Sequence, residues 1–247
     1  MTLDVSPVEL ELISARAWPS ARQAKVGGWR LHAAHGVSNR INSCWPIADP
    51  GLAPECAISA AETWYADQRL PCVFKLAEGA TWPPDLGDHL SRRGYSQATL
   101  TAVMTGLVIG VLDPEAIMLD DADGRFGGVF AAARPGAADA LERMEALARV
   151  PYPRALVLME ANGGPAAIGA CAIEQSWVGL FAMRTLPAVR RQGFARRVLG
   201  SLLAHAGDQG ARRAWLQVEV ENHAAVALYE QAGFVEAYRY GYWRRPA

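Results

Sequence analysis

Apolar and polar positions along the chain alternate between strand-like and helix-like spacing, and the switches mark out a series of elements. Ser6-Pro7-Val8-Glu9 reads as a helix start, with Ser as N-cap, Pro in the first turn and Glu closing a capping box. That helix is expected to run to about Ala17. Residues 26–34 and 38–47 read as two strands around a His35-Gly36 turn, and residues 55–68 as a helix carrying Ile58, Ala61, Trp64 and Tyr65. A strand over 71–77, a helix over 84–93 ending at Gly94, and one or two strands over 95–109 complete a first half of order α-β-β-α-β-α-β. Asp113-Pro114 and the acidic run Asp120, Asp121, Asp123 mark a junction. Beyond it the pattern predicts a helix over 136–149, a strand over 155–161 and an Asn162-Gly163-Gly164-Pro165 turn. Strands at 166–174 and 177–185, a helix at about 194–206, a strand at 214–220, a helix at 223–232 and a strand at 234–243 follow.

The two halves resemble each other in outline. Leu90-x-x-x-Gly94-Tyr95 in the first answers Tyr229-x-x-x-Gly233-Phe234 in the second, each between a helix and a strand. The expected fold is therefore a mixed α/β (α+β) one of two similar halves, each a mostly antiparallel, twisted sheet flanked by helices. The expected domains are residues 1–112 and 113–247.

Composition narrows the function. Of the 247 residues 51% are hydrophobic and 20% charged, enough apolar content for a large core and too much for a chain that is mainly disordered. Lys+Arg number 24 against 25 Asp+Glu, a net charge of −1, which argues against coating nucleic acid or a membrane surface. The cysteines, Cys44, Cys56, Cys72 and Cys171, form no C-x-x-C pair, and His32 and His35 lack the H-E-x-x-H pattern, so no metal site is expected. Scattered cysteines and an acidic N-terminus without an apolar block point to the cytoplasm. The longest uncharged run, Ser96 to Leu112, is broken by Gly106 and Gly110 and reads as paired strands rather than a bilayer span. Trp18, Trp29, Trp45, Trp64 and Trp82 all lie in the first half, as core or as the lining of a pocket.

The chemistry concentrates between Leu180 and Phe234. A strand ending at Thr185-Leu186-Pro187 meets Arg190-Arg191-Gln192-Gly193-Phe194-Ala195, and a helix with an apolar stripe at Val198, Leu199, Leu202, Leu203 and Ala206 follows at once. A strand–loop–helix junction of this kind offers free backbone N–H groups and the positive end of a helix dipole, a site for phosphate or pyrophosphate. Residues 184–213 hold seven basic residues and one acidic, Asp208, a local net of +6 in an otherwise acidic chain. Arg190, Arg191, Arg196 and Arg197 surround the loop.

Here the sequence resembles the GNAT (Gcn5-related) N-acetyltransferase family. Arg190-x-x-Gly193-x-Ala195 is similar to that family's acetyl-CoA loop, Met183-x-Thr185-x-Pro187 to the strand before it, and Asn222-x-x-Ala225-x-x-Leu228-Tyr229-x-x-x-Gly233-Phe234 to its downstream run. The close match covers roughly residues 155–243. The first half resembles the fold in element order only and has no such loop near Ile47–Glu55, so it looks like a degenerate repeat.

The resemblance implies an N-acetyltransferase that moves an acetyl group from acetyl-CoA, its co-substrate, to a primary amine by direct attack in a ternary complex. The cofactor residues it implies are Met183, Arg184 and Thr185 for the pantetheine arm, with Arg190, Arg191, Gln192, Gly193, Phe194, Ala195 and Arg196 for the pyrophosphate. Asn222 reads either as a further contact to the arm or as a helix N-cap. Tyr229 reads either as the acid that protonates the departing thiolate or as a core tyrosine on the face of Ala225, Leu228 and Ala232. Glu219 leads Glu160 and Glu174 as a base acting through water, against a solvated strand carboxylate in each case. The implied acceptor is a small-molecule or peptide amine, with neither nucleic acid nor membrane as partner, and the protein is a monomer or homodimer. The alternative reading is an acyl-CoA-binding sensor or regulatory pseudoenzyme without turnover.

Overall fold

The structure is a computed structural model that describes residues 5–133, 137–151 and 153–246. The first four residues, and residue 136 at the start of the expected 136–149 helix, lie outside the described residues. Two compact units divide the chain, and they interleave. One holds residues 1–103, 218–223 and 236–247; the other holds 104–217 and 224–235.

The first unit opens with α1 (Pro7–Ala17), where Ser6 Oγ accepts the Glu9 N–H at 3.1 Å, as the capping pattern predicts. Strands β1 (Arg22–Val26) and β2 (Trp29–Ala33) form an antiparallel hairpin. The expected single strand over 26–34 thus contains the turn at Gly27-Gly28 and then β2, while β1 precedes it. Gly27 has φ +54°, and a Cβ there would lie 1.8 Å from the Pro50 carbonyl oxygen, so the turn requires glycine. The expected strand over 38–47 is mostly a 3₁₀ turn (Asn39–Ile41) and a two-residue β3 (Cys44–Trp45). Asn42 holds this stretch out of strand geometry, its Oδ1 accepting the N–H groups of Ala34 and Gly36 at 2.7 and 2.9 Å.

Helix α2 (Pro54–Asp67), strand β4 (Phe74–Ala77), helix α3 (Leu86–Arg92) and strand β5 (Ser96–Leu107) follow. The strand order is β1-β2-β3-β4, and the last strand of the chain, β11 (Val235–Arg244), adds to β4 antiparallel, with Tyr240 opposite Ala77 and Trp243 opposite Phe74. Trp29, Leu31, Tyr65, Phe74, Leu86, Leu90 and Tyr95 fill its core.

A buried ion pair is set into this unit. Lys75 Nζ donates to Glu11 Oε2 at 2.5 Å, both side chains being fully buried, and the Tyr238 hydroxyl donates to Glu11 Oε1 at 2.7 Å. The ammonium also sits 3.8 Å from the Trp45 ring centroid and 4.0 Å from that of Tyr240. The pair is paid for by these extra contacts, because a buried charge without partners costs several kcal/mol.

The second unit contains two elements the periodicity does not reveal: β6 (Ile117–Leu119) and α4 (Gly124–Ala133). Asp123 caps α4, its Oδ1 accepting the N–H groups of Arg125 and Phe126 at 3.0 Å each. Helix α5 (Ala137–Ala148) precedes β7 (Arg154–Ala161), β8 (Gly164–Glu174) and β9 (Trp177–Thr185), then come α6 (Phe194–Asp208), β10 (Arg213–Glu219) and α7 (His223–Gln231). The order β10-β9-β8-β7-β6 is antiparallel except for the parallel β9–β10 pair. A mixed sheet with helices against it matches the expected α/β fold class. No helix among the described residues is long and apolar enough to cross a membrane.

Candidate functional site

The candidate site grows out of an irregularity in β9. On β8, Ile168 and Ala170 are two residues apart, yet their partners on β9, Arg184 and Phe181, are three apart. The extra residue is a bulge, and Ala182 takes the left-handed φ of +59°. Gly169 lies opposite it, and a Cβ there would meet Met183 Sδ at 2.6 Å and Val198 Cγ1 at 2.6 Å, so α6 packs closely over the bulge only because residue 169 is glycine. On the other side, β9 and β10 pair in parallel from Arg213↔Trp177 to Leu216↔Leu180. Gly179 makes room there for the Trp215 ring, which would lie 2.4 Å from an added Cβ. The recorded ladder ends at Leu180, immediately before the bulge. Beyond that rung the end of β9 continues on β8 alone, with Arg184 opposite Ile168 and Thr185 opposite Ala167.

The loop follows directly. Pro187–Val189 make one 3₁₀ turn, and Arg190 N–H returns to the Pro187 carbonyl at 3.3 Å. Arg191 then takes φ +66°, and Gly193 takes φ +86° as the residue preceding α6. The Gly193 carbonyl accepts the N–H groups of both Arg196 and Arg197, at 3.0 and 3.1 Å. Among the described residues no protein acceptor is recorded for the N–H groups of Arg191, Gln192, Gly193, Phe194 and Ala195. Residues 190–193 are exposed, whereas Phe194 is buried and anchors the first turn. The arrangement has the chemistry to hold an anion: consecutive free donors at the positive end of a helix of 15 residues.

The four arginines have different fates. Arg190 and Arg191 are exposed, and Arg190 Nε reaches the Thr185 carbonyl at 3.4 Å. Arg196 is held by Gln231 Oε1 of α7 at 2.8 Å. Arg197 is committed elsewhere: its Nε and Nη2 donate to the two Asp113 oxygens at 2.6 and 2.8 Å, and Nη2 also bonds Glu115. That bidentate pair holds the Asp113 carboxyl at about 2, well below the usual range. Arg184 folds back so that its Nη1 donates to the Met183 carbonyl at 2.8 Å.

Tyr229 lies on α7, buried, with its ring 6.1 Å from that of Phe234 at an interplanar angle of 61°. Its carbonyl accepts the Phe234 N–H at 3.0 Å, which closes the helix through Gly233 at φ +86°. Glu219 is the exposed last residue of β10, and its carbonyl accepts the Asn222 N–H at 2.9 Å. Asn222 immediately precedes the first residue of α7. Of the remaining carboxylates weighed as bases, Glu160 is paired with Arg125 at 3.3 Å. The second unit therefore brings together Met183, Arg184, Thr185, the 190–195 loop, Arg196 and Tyr229, while Glu219 and Asn222 belong to the first unit. The bulge at Ala182 and the Arg197–Asp113 pair escape sequence reasoning. Gly169 and Gly179, glycines inside strand patterns, were the available signal.

Two family models match the chain. Residues 125–234 match the family model described as "Acetyltransferase (GNAT) family". Residues 8–121 match the model described as "Probable histone acetyltransferase Rv0428c C-terminal". An uncharacterized N-acetyltransferase of Bacillus subtilis (strain 168), YobR, is 27% identical over 242 residues, 92% of this chain and 93% of that protein. Among solved structures, a GCN5-related N-acetyltransferase from Kribbella flavida superposes with a TM-score of 0.68, covering 96% of this chain and 95% of that one at 19% identity. A tandem GNAT protein from the clavulanic acid biosynthesis pathway gives 0.62 over 96% and 87% at 12% identity. At these identities the two structures show a shared fold.

Proposed function

Because the chain belongs to the GNAT acetyltransferase family, with one acetyltransferase segment over 8–121 and another over 125–234, we propose that it moves an acetyl group from acetyl-CoA to a primary amine in a ternary complex. The observation that carries this reading is the run of five free N–H groups at residues 191–195, following a strand whose parallel ladder with β10 has ended at Leu180. The donor set suits a pyrophosphate, and the end of the β9–β10 ladder at Leu180 suits an extended amide-bearing arm that adds like a strand on that side. In this reading Met183, Arg184 and Thr185 flank the arm and residues 190–196 hold the diphosphate, with Asn222 as a further contact. The cofactor belongs to the segment 113–247, and the segment 1–112 has no equivalent loop. The acceptor is a small-molecule or peptide amine, and the protein acts in the cytoplasm.

The chemistry asks little of the chain beyond position. An amine attacks the thioester carbonyl, the C–S bond breaks, and the thiolate leaves with a proton. A thiol of pKa about 8.5 leaves as a thiolate that a phenol of pKa about 10 protonates slightly uphill, a transfer that desolvation favours. We assign that proton to Tyr229. Glu219 takes the proton from the attacking amine through water. An α-amino group, with pKa about 7.7–8.0, is partly neutral near pH 7, so it needs less help than a lysine side chain at about 10.4. Bound geometry supplies most of the acceleration.

The test is release of free thiol from acetyl-CoA in the presence of a panel of α-amines and lysine-containing peptides. The reading expects release that depends on the amine and saturates with it. Release no faster than background hydrolysis across the panel contradicts it.

A further inference from the structure

In the first unit β3 and β4 share one rung, Cys44↔Phe74, and beyond it the Trp82 N–H donates to the Pro46 carbonyl, which keeps residues 46–49 and 79–82 neighbours. Two adjoining cavities open there, of about 340 and 220 Å³, and they share Val8, Ile47 and Ala48 as a common apolar wall. Their charged groups differ in sign. The smaller cavity is lined by Lys25 and Arg30, the larger by Asp49 and the ring of Trp82.

The two cations are placed awkwardly for a fold without a ligand. Lys25 and Arg30 stand directly opposite each other in the β1–β2 register, so their side chains share one face of the hairpin. Like charges in that relation repel. Among the described residues neither has a recorded carboxylate partner. At the other end, Asp49 Oδ1 accepts only the Gly51 N–H, at 2.8 Å, and no basic side chain is recorded against it among the described residues. Trp82 is 46% exposed although its backbone is fixed, its N–H donating to the Pro46 carbonyl at 2.7 Å and its carbonyl accepting from Trp29 Nε1 at 3.0 Å. Opposite charges that are not paired with each other line two cavities with a common apolar wall, a setting that suits a ligand carrying both.

We propose that the first unit holds a second binding site, for a small zwitterion with an apolar middle. The carboxylate lies against Lys25 and Arg30. The ammonium lies against Asp49 and the face of the Trp82 ring, where a cation is attracted by the ring quadrupole. The middle lies on Val8 and Ile47. The volume of the larger cavity is that of a small-molecule site. This site is separate from the 190–195 loop and does not rest on the transferase reading.

The experiment uses the full-length protein without acetyl-CoA and three probes of equal chain length: 6-aminohexanoate, hexanoate and hexylamine. Calorimetry or chemical-shift titration is expected to show saturable 6-aminohexanoate binding, at least about tenfold tighter than either single-ended probe. Lys25→Gln with Arg30→Gln weakens 6-aminohexanoate and hexanoate by at least about tenfold. Asp49→Asn weakens 6-aminohexanoate and hexylamine and leaves hexanoate as it was. Lys25→Gln alone, at an exposed position, serves as the variant whose fold is not at risk. It relieves the repulsion, so its melting temperature without ligand is not lowered while its affinity for 6-aminohexanoate falls. No saturable 6-aminohexanoate binding, equal affinity for all three probes, or an Asp49→Asn protein that binds 6-aminohexanoate unchanged would overturn the proposal.

Discussion

Leu180 and Leu216 face each other across the last recorded rung of the parallel β9–β10 ladder, and two residues beyond Leu180 the chain turns through a left-handed Ala182. The order of these features matters. The β9–β10 ladder ends just before the bulge, and the chain then runs on through Thr185 to the 190–195 loop.

Ala182 is the strained point of this device. A left-handed conformation costs a residue with a Cβ roughly 1–2 kcal/mol. Ala182→Gly is expected to raise stability by about that amount in urea unfolding, while the bulge and acetyl-CoA affinity persist. Ala182→Val is expected to lower both stability and affinity, because a β-branched residue opposes that conformation.

Tyr229→Phe separates the catalytic reading from the packing one. The ring contact with Phe234 is kept and only the hydroxyl goes. Turnover at saturating substrate is expected to fall by on the order of 10²–10⁴, with acetyl-CoA affinity within about twofold of the wild type. Full turnover would remove the acid role from this residue.

His32 gives the first unit a pH signature. Burial, and then the charges of Lys75 and Arg30, hold its pKa down at about 3 against an ordinary 6.5. The folded protein keeps it neutral, its Nδ1 3.1 Å from Ser20 Oγ, while the unfolded chain takes up a proton below about 6.5. Its contribution is therefore complete above that pH and is lost as pH falls toward 3, with a slope of up to about 1.4 kcal/mol per pH unit. His32→Gln should flatten the stability curve in this window relative to the wild type, as read by denaturant unfolding between pH 4 and pH 7.

The buried pair Lys75–Glu11 predicts an asymmetry. Lys75→Met alone strands the Glu11 carboxylate and should cost about 3–5 kcal/mol, whereas Lys75→Met with Glu11→Leu should recover much of that loss. Thermal unfolding of the three proteins checks it. A double variant no more stable than the single one would show that the pair is not the source of the loss.

The thiols divide in the same way. Cys72 and Cys171 are pushed up to about 12 by burial, Cys44 is raised further for the same reason, and Cys56 is exposed. A thiol reagent should modify Cys56 alone in the native protein, and Cys56→Ser should remove the fast-reacting group.

The strand–loop–helix junction over 185–194 was legible because its requirements are local: a glycine at the left-handed position and a helix start in immediate sequence. The helices α2, α6 and α7 were legible for the same reason. Features that depend on distant partners were not. Arg197 looked like one of four equivalent cations, and its assignment to Asp113 rests on a contact 84 residues away in sequence. Helix α4 was hidden because Gly124, Gly127 and Gly128 weaken its propensity, while its cap, Asp123, read as part of an acidic junction. The β1–β2 hairpin was misread because Gly27-Gly28 lies inside an apolar run, and only the close approach of Pro50 shows why glycine stands there.

The most direct test of the central claim is calorimetric titration of acetyl-CoA into the wild-type protein and into Gly193→Glu. Apart from its chain neighbours, nothing lies within 4 Å of the position a Gly193 Cβ would take, so the glycine serves the left-handed turn rather than internal packing. The account predicts micromolar binding by the wild type and none by a folded Gly193→Glu protein, whose carboxylate would stand where the diphosphate belongs. Wild-type protein that does not bind, or a Gly193→Glu protein that binds as well, would contradict the assignment of the 190–195 loop as the acetyl-CoA site.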